Sequence, residues 1–265
     1  MGILNITPDS FSDGGRFLDP EAAVAQALKL VEEGADILDL GSQSTRPGAV
    51  PVTEREELER LLPVLKRIRK EVSAPLSIDT VSPKVAKECL EAGADIINDI
   101  SGLKRSGHDM AKVVKKSGAG LVLMHSRGTP ETMQSLASYG DVVTDVMTEL
   151  RESVKLAMDA GIERERLVID PGLGFAKSTE QNLEIMKNLG AFHKLELPVM
   201  LGPSRKNFIG QVTGRETNER EFGTAACIAA AVMNGIQIVR VHDVKAMRDV
   251  VRITESIKRL SKVPS

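Results

Sequence analysis

The chain has 265 residues, of which 42% are hydrophobic, enough for one sizeable core, and its formal net charge is −2. That balance gives no basic field for nucleic acid, and no apolar run is long enough to cross a bilayer. Cys89 and Cys227 lack metal-ligand spacing and fit a reducing compartment. We expect a soluble, cytoplasmic protein with one domain, residues 1–265, and neither a nucleic acid nor a membrane partner.

Short apolar runs recur along the chain, and each of them ends at polar residues. The eight runs end, in chain order, at Asn5, Asp39, Asp79, Asn98, His125, Asp170, Ser204 and His242. Packing does not require a buried strand to end in this way each time, whereas a parallel barrel with its ligand site at the carboxyl ends of all strands does. The sequence therefore predicts a single (β/α)8 TIM barrel with its active site at the C-terminal ends of the strands.

Helical segments separate the apolar runs. The predicted helices run from Pro20, after an Asp19 cap, to about Glu33, from Thr53 to near Val72, from Ser82 to before Gly93, from Met110 to Lys116, from Asp141 to Ala160, from Thr179 to Leu189, from Phe222 to Asn234 and from Val244 to Leu260. Such alternation indicates parallel strands with helical crossovers. A doubly wound open sheet is the alternative, but it would gather functional residues at one switch point.

Three of the strand-end residues, Asp79, Asn98 and Asp170, are hydrogen-bonding side chains on three different strands. A lone Asp in such a position is commonly a helix N-cap. Three of them converging on one axis are better suited to reading the amide-like and amino edges of a heterocycle.

Cations also occur at the predicted barrel mouth. Lys206 follows a strand end, Arg240 and His242 share one face of the last strand, and Arg46 lies in a polar loop. One interpretation of Arg240 is an ion pair with a neighbouring strand-end carboxylate. The other is an anion site, because barrels commonly bind phosphate at their last two strands. His125 is interpreted as a structural hydrogen-bonding residue.

Seven segments in order resemble the dihydropteroate synthase family over essentially the whole chain. They are residues 5–15, 44–48, 77–80, 97–99, 170–175, 202–206 and 240–242. The resemblance implies a (β/α)8 transferase of folate biosynthesis that condenses 6-hydroxymethyl-7,8-dihydropterin diphosphate with p-aminobenzoate. It also implies Mg²⁺ as cofactor, sulfonamides as inhibitors, and a pathway in which diphosphate leaves before the amine attacks.

The resemblance implies a role for each matching residue. Catalytic roles fall to Asp13, Lys206 and Arg46, and pterin binding to Asp79, Asn98, Asp170, Lys206 and Arg240. The diphosphate site comprises Asn5, Thr45, Arg46, Arg240 and His242, with Asn5 as the metal ligand. The p-aminobenzoate site comprises Phe11, Thr45, Pro47, Phe175 and Asn207.

The chain departs from the family pattern at four positions, Ser42, Gln43, Ala176 and Asn207. Two other functions remain open at this point. A corrinoid-dependent methyltransferase would use a related barrel but has no reason to keep the two early loops, and a non-catalytic pterin-binding paralogue has no reason to keep Asn5, Asp13, Arg46 and Lys206. Apolar positions on the last helices indicate a homodimer.

Overall fold

The computed structural model describes residues 1–7, 20–43 and 52–260, and within them strands and helices alternate. The strands are short and mostly buried. They are β1 (Gly2–Asn5), β2 (Leu38–Gly41), β3 (Leu76–Asp79), β4 (Ile96–Asp99), β5 (Gly120–Met124), β6 (Leu167–Asp170), β7 (Met200–Leu201) and β8 (Ile238–Val239).

The helices follow the strands in turn and pack around them. They are α1 (Pro20–Glu32), α2 (Glu54–Glu71), α3 (Pro83–Glu91), α4 (Gly107–Ser117), α5 (Val142–Asp159), α6 (Thr179–Lys187), α7 (Asn207–Thr213), α8 (Glu221–Met233) and α9 (Val244–Leu260). Among the described helices, none is both long and apolar enough to cross a membrane.

The strands close into a parallel barrel. Strands β1 to β6 pair in chain order, and β7 pairs with β8. Parallel bridges from Ile169 to Val199 and from Gly2 to Val241 join the two sheets. The backbone N–H of Ile3 donates to the Val241 carbonyl at 2.9 Å, which ties the last strand to the first. The predicted barrel is confirmed, because a doubly wound sheet would leave both edge strands unpaired.

Strand residues alternate between the helix layer and the barrel axis. Leu38 and Leu40 on β2 are fully buried in the main apolar core, and Asp39 between them points to the opposite side, where it meets polar groups. Successive side chains of a β-strand point to opposite faces, which explains this alternation. The helices cover the apolar side, and the polar side faces the axis and supplies the site.

Side-chain caps begin three helices at the predicted places. Thr53 accepts a hydrogen bond from the Glu56 backbone N–H, and the Glu56 carboxylate accepts one from the Thr53 N–H at 2.9 Å. Ser82 accepts from the Val85 N–H, and Asp141 caps α5. Each cap satisfies a backbone donor that has no partner within the helix, worth about 1 kcal/mol. The predicted Asp19 cap lies outside the described residues.

One α-helix among the described residues was not predicted from the sequence. Helix α7 spans only seven residues directly after Lys206 and ends at Gly214, whose φ of 68° is left-handed. Its length and the internal Gly210 leave too little periodicity for recognition from sequence. The helix matters because its N-cap residue, Lys206, is a predicted site residue.

Candidate active site

Polar side chains meet at the carboxyl ends of the strands. Asp79 and Asn98 are register partners on β3 and β4, and Asp170 ends β6. The guanidinium of Arg240, just after β8, contacts Asp79, and the charge of Lys206 acts on both Asp79 and Asp170. The structure thus brings together all five residues that the sequence analysis assigned to the pterin.

Arg240 bridges two carboxylates across the axis. Its Nε donates to Asp39 Oδ2 at 2.6 Å, and its Nη2 donates to Asp79 Oδ2 at 3.1 Å. Asp39 is fully buried and also accepts from the hydroxyl of Ser77 at 2.6 Å and from Asn98 Nδ2 at 3.2 Å. Of the two interpretations of Arg240, the structure shows the ion pair with strand-end carboxylates. Burial of an unpaired guanidinium would be costly.

Asp39 is a site residue that was not predicted from the sequence. The available signal was a single charged residue that follows the apolar pair Ile37–Leu38 and precedes Leu40. Buried carboxylates are almost always paired, so that signal predicts a partner but does not identify it. The partner, Arg240, lies 201 residues further along the chain.

Asn98 presents a free acceptor to the site. It is 1% exposed, and its amide Nδ2 donates a hydrogen bond to Asp39. Its Oδ1 is buried and has no hydrogen-bond partner among the residues that the structure describes. An unsatisfied buried acceptor costs about 1–3 kcal/mol. A ligand N–H donor at this position would remove that cost.

Asp79 and Asp170 both have raised pKa values. Burial raises the pKa of Asp170 to about 6, although the backbone N–H of Gly172 and the charge of Lys206 oppose the shift. Burial likewise raises the pKa of Asp79 to about 7, against the guanidinium of Arg240. Near neutral pH both groups can change protonation state when a ligand brings a hydrogen-bond donor.

Lys206 lies against an aromatic ring at the barrel mouth. Its Nζ is 4.2 Å from the centroid of the Phe175 ring. Burial and the nearby Arg240 lower the pKa of Lys206 to about 8. Gly174 has a φ of 80°, and a Cβ there would lie 3.1 Å from Lys206 Cδ. Glycine at this position therefore lets the loop approach the lysine closely.

The backbone that precedes Lys206 is held in an unusual conformation. Arg205 has a φ of 57°, which is rare for a residue with a side chain. Its N–H donates to Thr224 Oγ1 at 3.1 Å, its carbonyl accepts from Arg220, and its guanidinium pairs with Asp243 at 2.7 Å. These contacts from α8 and from the loop before α9 fix the direction in which Lys206 leaves the turn.

His242 lies beside Arg240 and Lys206 at the barrel mouth and is neutral near pH 7. Burial lowers its pKa to about 4, and the charges of Arg205 and Arg240 act in the same direction. Its Nδ1 lies 2.9 Å from the hydroxyl of Ser204, which also accepts from the His242 N–H at 3.3 Å. At neutral pH His242 can therefore offer an anion a hydrogen bond but no positive charge.

Asn5 and Asn207 lie at the edge of the site. Asn5 ends β1 beside Gly41, and its side chain is exposed. Asn207 is exposed at the first position of α7. The other predicted site residues lie outside the described residues, namely Phe11, Asp13, Thr45, Arg46 and Pro47.

Gln43, one of the departures from the family pattern, has a defined contact. Its Nε2 donates to Oε2 of Glu57 at 2.7 Å. Glu57 is 1% exposed on α2, and burial raises its pKa. The Arg60 guanidinium donates to the Ser42 carbonyl at 2.9 Å. Helix α2 therefore holds the chain at the exit of β2.

Comparison with known proteins gives one consistent family. Residues 1–242 match the model of the pterin binding enzyme family. A curated dihydropteroate synthase from Synechocystis is 45% identical over 98% of this chain and 90% of its own length. A similar protein from Bacillus subtilis is 44% identical over 97% of this chain and 87% of its own length.

Solved structures with the same fold include a dihydropteroate synthase from Xanthomonas albilineans, solved with 4-aminobenzoic acid. It is 42% identical and has a TM-score of 0.91 over 99% of this chain and 93% of that chain. A dihydropteroate synthase from Yersinia pestis, solved with a sulfonamide drug complex, is 38% identical, with a TM-score of 0.91 over 97% and 93% of the two chains.

Proposed function

Since this chain belongs to the pterin-binding enzyme family, and within it to the dihydropteroate synthases, we propose that it condenses 6-hydroxymethyl-7,8-dihydropterin diphosphate with p-aminobenzoate. The products are 7,8-dihydropteroate and diphosphate, so the protein is a transferase of folate biosynthesis. The observation that carries the proposal is the strand-end group of Asp79, Asn98, Asp170 and Lys206, joined by Arg240.

The pterin binds deep in this mouth. Its ring system presents N–H donors and a carbonyl acceptor on its edges. The free Oδ1 of Asn98 and the carboxylates of Asp79 and Asp170 accept from the donors, and Lys206 supplies a cation on the acceptor side. A hydrogen bond to a charged group contributes about 1.5–3 kcal/mol.

The diphosphate binds at the rim formed by Lys206, Arg240 and His242, together with Asn5 at the end of β1. Arg46 and Thr45 add to this anion site by resemblance to the family. Mg²⁺ is part of the proposal. It commonly uses one or two protein oxygens together with substrate phosphates, and the exposed Asn5 amide oxygen suits that use. When bound, the ion neutralises charge on the leaving group.

The reaction begins with heterolysis of the bond between the pterin methylene carbon and the diphosphate oxygen. The electron pair leaves with the diphosphate, and the fixed cations of the rim stabilise that charge. The carboxylate of Asp13 stabilises the cationic methylene. The amine nitrogen of p-aminobenzoate then attacks the carbon and loses one proton to water.

The p-aminobenzoate lies outside the pterin, against Phe175. Phe11, Pro47 and Thr45 complete its surroundings by resemblance, and the Asn207 side chain offers a donor to its carboxylate. The exposed position of Asn207 at the start of α7 supports this contact. Sulfonamides, which resemble p-aminobenzoate, compete for the same surface.

A homodimer is part of the same proposal. Ile253, Ile257 and Leu260 follow the helical spacing of one face of α9, and they are 64%, 53% and 74% exposed. Phe222 at the start of α8 is 87% exposed. A second copy would cover these apolar side chains, and sedimentation of an Ile257→Glu variant as a smaller species would support it. Cytoplasmic location fits the free thiols of both cysteines.

The test is product formation from the purified protein. Incubation with the pterin diphosphate, p-aminobenzoate and Mg²⁺ is expected to yield 7,8-dihydropteroate, identified by mass. Lys206→Met should lose most of this activity, whereas Lys112→Met, which removes an exposed lysine, should not. Pterin binding without product would instead favour a non-catalytic pterin-binding protein.

A further inference from the structure

A buried lysine outside the proposed substrate contacts lies beneath the loop after β6. Lys177 is 3% exposed. Its Nζ contacts the Gly172 carbonyl at 3.0 Å, the Phe175 carbonyl at 2.9 Å and His125 Nδ1 at 2.9 Å. Two of its N–H groups donate to the loop carbonyls, and the third contact joins it to the imidazole. The loop is thus wrapped around one side chain.

His125 lies between Lys177 and the carboxylate of Glu149. Burial lowers the pKa of His125 to about 4, so the ring is neutral near pH 7. Its Nδ1 lies 2.9 Å from Lys177 Nζ, and its Nε2 lies 3.2 Å from Glu149 Oε2. Glu149 also pairs with Lys104 and, at 2.5 Å, with Arg127. The predicted structural role of His125 fits this geometry.

The chain of contacts closes on itself through the only tyrosine. The Arg127 guanidinium carbon lies 3.9 Å from the centroid of the Tyr139 ring. The Tyr139 hydroxyl donates to the carbonyl of Ala176, next to Lys177 in the chain, at 2.9 Å. Residues 172, 175 and 176 of the loop therefore have their carbonyls held by side chains of one connected group.

The held loop is strained and carries a site residue. Ala176 has a φ of 50°, and Gly172 has a φ of 70° with the His125 carbonyl where a Cβ would be. Such conformations cost about 1–3 kcal/mol for a residue with a side chain, and they persist only when surrounding contacts impose them. Phe175 lies between these residues, and its ring faces Lys206.

We infer that Lys177 is a positioning residue that holds the ring of Phe175 where p-aminobenzoate must pack. It does so together with the connected side chains of His125, Glu149, Arg127 and Tyr139. The inference rests on the proposed function for the identity of that substrate. Lys177 itself touches no substrate. Loss of its ammonium frees two loop carbonyls and releases the ring from its fixed place.

The first experiment is a kinetic comparison of Lys177→Met with Lys112→Met, whose lysine is exposed. The Michaelis constant for p-aminobenzoate is expected to rise about tenfold in Lys177→Met, and kcat and the constant for the pterin diphosphate to change less than about threefold. Lys112→Met is expected to match the wild type. Lys177→Gln, which keeps two donors, should give an intermediate value.

The second experiment needs no substrate. The chain has one Tyr and no Trp, so the tyrosine band of the near-ultraviolet circular dichroism spectrum reports Tyr139 alone. That band should weaken in Lys177→Met while the far-ultraviolet spectrum stays unchanged. This readout holds even when the wild-type protein makes no dihydropteroate, which would refute the proposed function separately.

The inference requires both changes. A folded Lys177→Met with the wild-type Michaelis constant for p-aminobenzoate, or with an unchanged tyrosine band, overturns it. If neither Lys177→Met nor Lys177→Gln gives a cooperative thermal transition, Lys177 is needed for folding itself, and the positioning role is equally overturned.

Discussion

Replacing Asp170 by Asn should stabilise the ligand-free protein while weakening pterin binding. Asp170 is 4% exposed, and its Oδ1 accepts from the Gly172 N–H at 2.7 Å. Asparagine keeps that acceptor and removes the buried charge. The same carboxylate is proposed to bind the pterin, so function and stability make opposite demands on this position.

The size of the effect follows from the pKa. Burial raises the pKa of Asp170 from 3.8 to about 6. Because the folded state holds its proton more tightly, the stability contribution is present below pH 3.8 and is lost as pH rises through about 6. Each pKa unit corresponds to about 1.4 kcal/mol, so the ionised carboxylate costs roughly 3 kcal/mol above that window.

Urea unfolding at about pH 4 and about pH 8 measures this directly. The gain in free energy of unfolding from Asp170→Asn should be larger at the higher pH by roughly 2.5 kcal/mol, because a small part of the effect is already present at about pH 4. Asp109→Asn, which removes an exposed carboxylate on α4, is the control. Calorimetry should find pterin affinity reduced by about 1.5–3 kcal/mol.

An equal effect of Asp170→Asn at both pH values would refute the argument, because the carboxyl would then not be perturbed by burial. Unchanged pterin affinity in a folded variant would remove Asp170 from the pterin pocket. The two results are independent, so either half of the reasoning can fail alone.

Three further predictions concern other parts of the site. Arg240→Met leaves the buried Asp39 carboxylate without its cation and should lower the free energy of unfolding in urea by about 3–5 kcal/mol. Adding Asp39→Asn should restore part of this free energy, and no recovery would count against the pairing. Gln43→Glu places a second carboxylate against Glu57 and should lower the free energy of unfolding by about 1–3 kcal/mol near pH 8. The loss should be smaller at lower pH, where one of the two carboxyls is protonated, and a pH-independent loss would contradict this. Asp13→Ala should slow diphosphate release by about 10²-fold in quench-flow measurements, and a change only in the Michaelis constant for p-aminobenzoate would reduce Asp13 to ordering its loop.

The barrel could be predicted from the sequence because its signals are local. Each strand is a short apolar run that stops at a polar residue, and caps such as Thr53 and Asp141 are recognisable within four residues. The predicted convergence of Asp79, Asn98 and Asp170 follows once the strands are parallel, since their carboxyl ends share one side.

Pairings between distant residues could not be predicted. Asp39 and Arg240 meet only because β8 closes beside β1, and nothing near either residue specifies the other. Lys177 is harder still, since a lysine before a Ser-capped helix has the sequence features of a surface residue, and its burial depends on carbonyls of its own loop. Long-range closure creates both contacts, and local patterns do not record it.

The most direct test of the central claim is a single-turnover experiment with excess protein. Diphosphate and 7,8-dihydropteroate are measured in the same quenched samples, with both substrates and Mg²⁺ present. We expect one diphosphate to be released for each dihydropteroate formed, and both products to be lost when Lys206 is changed to Met. Tight pterin binding with no diphosphate released, or transfer of a methyl group in its place, would contradict it.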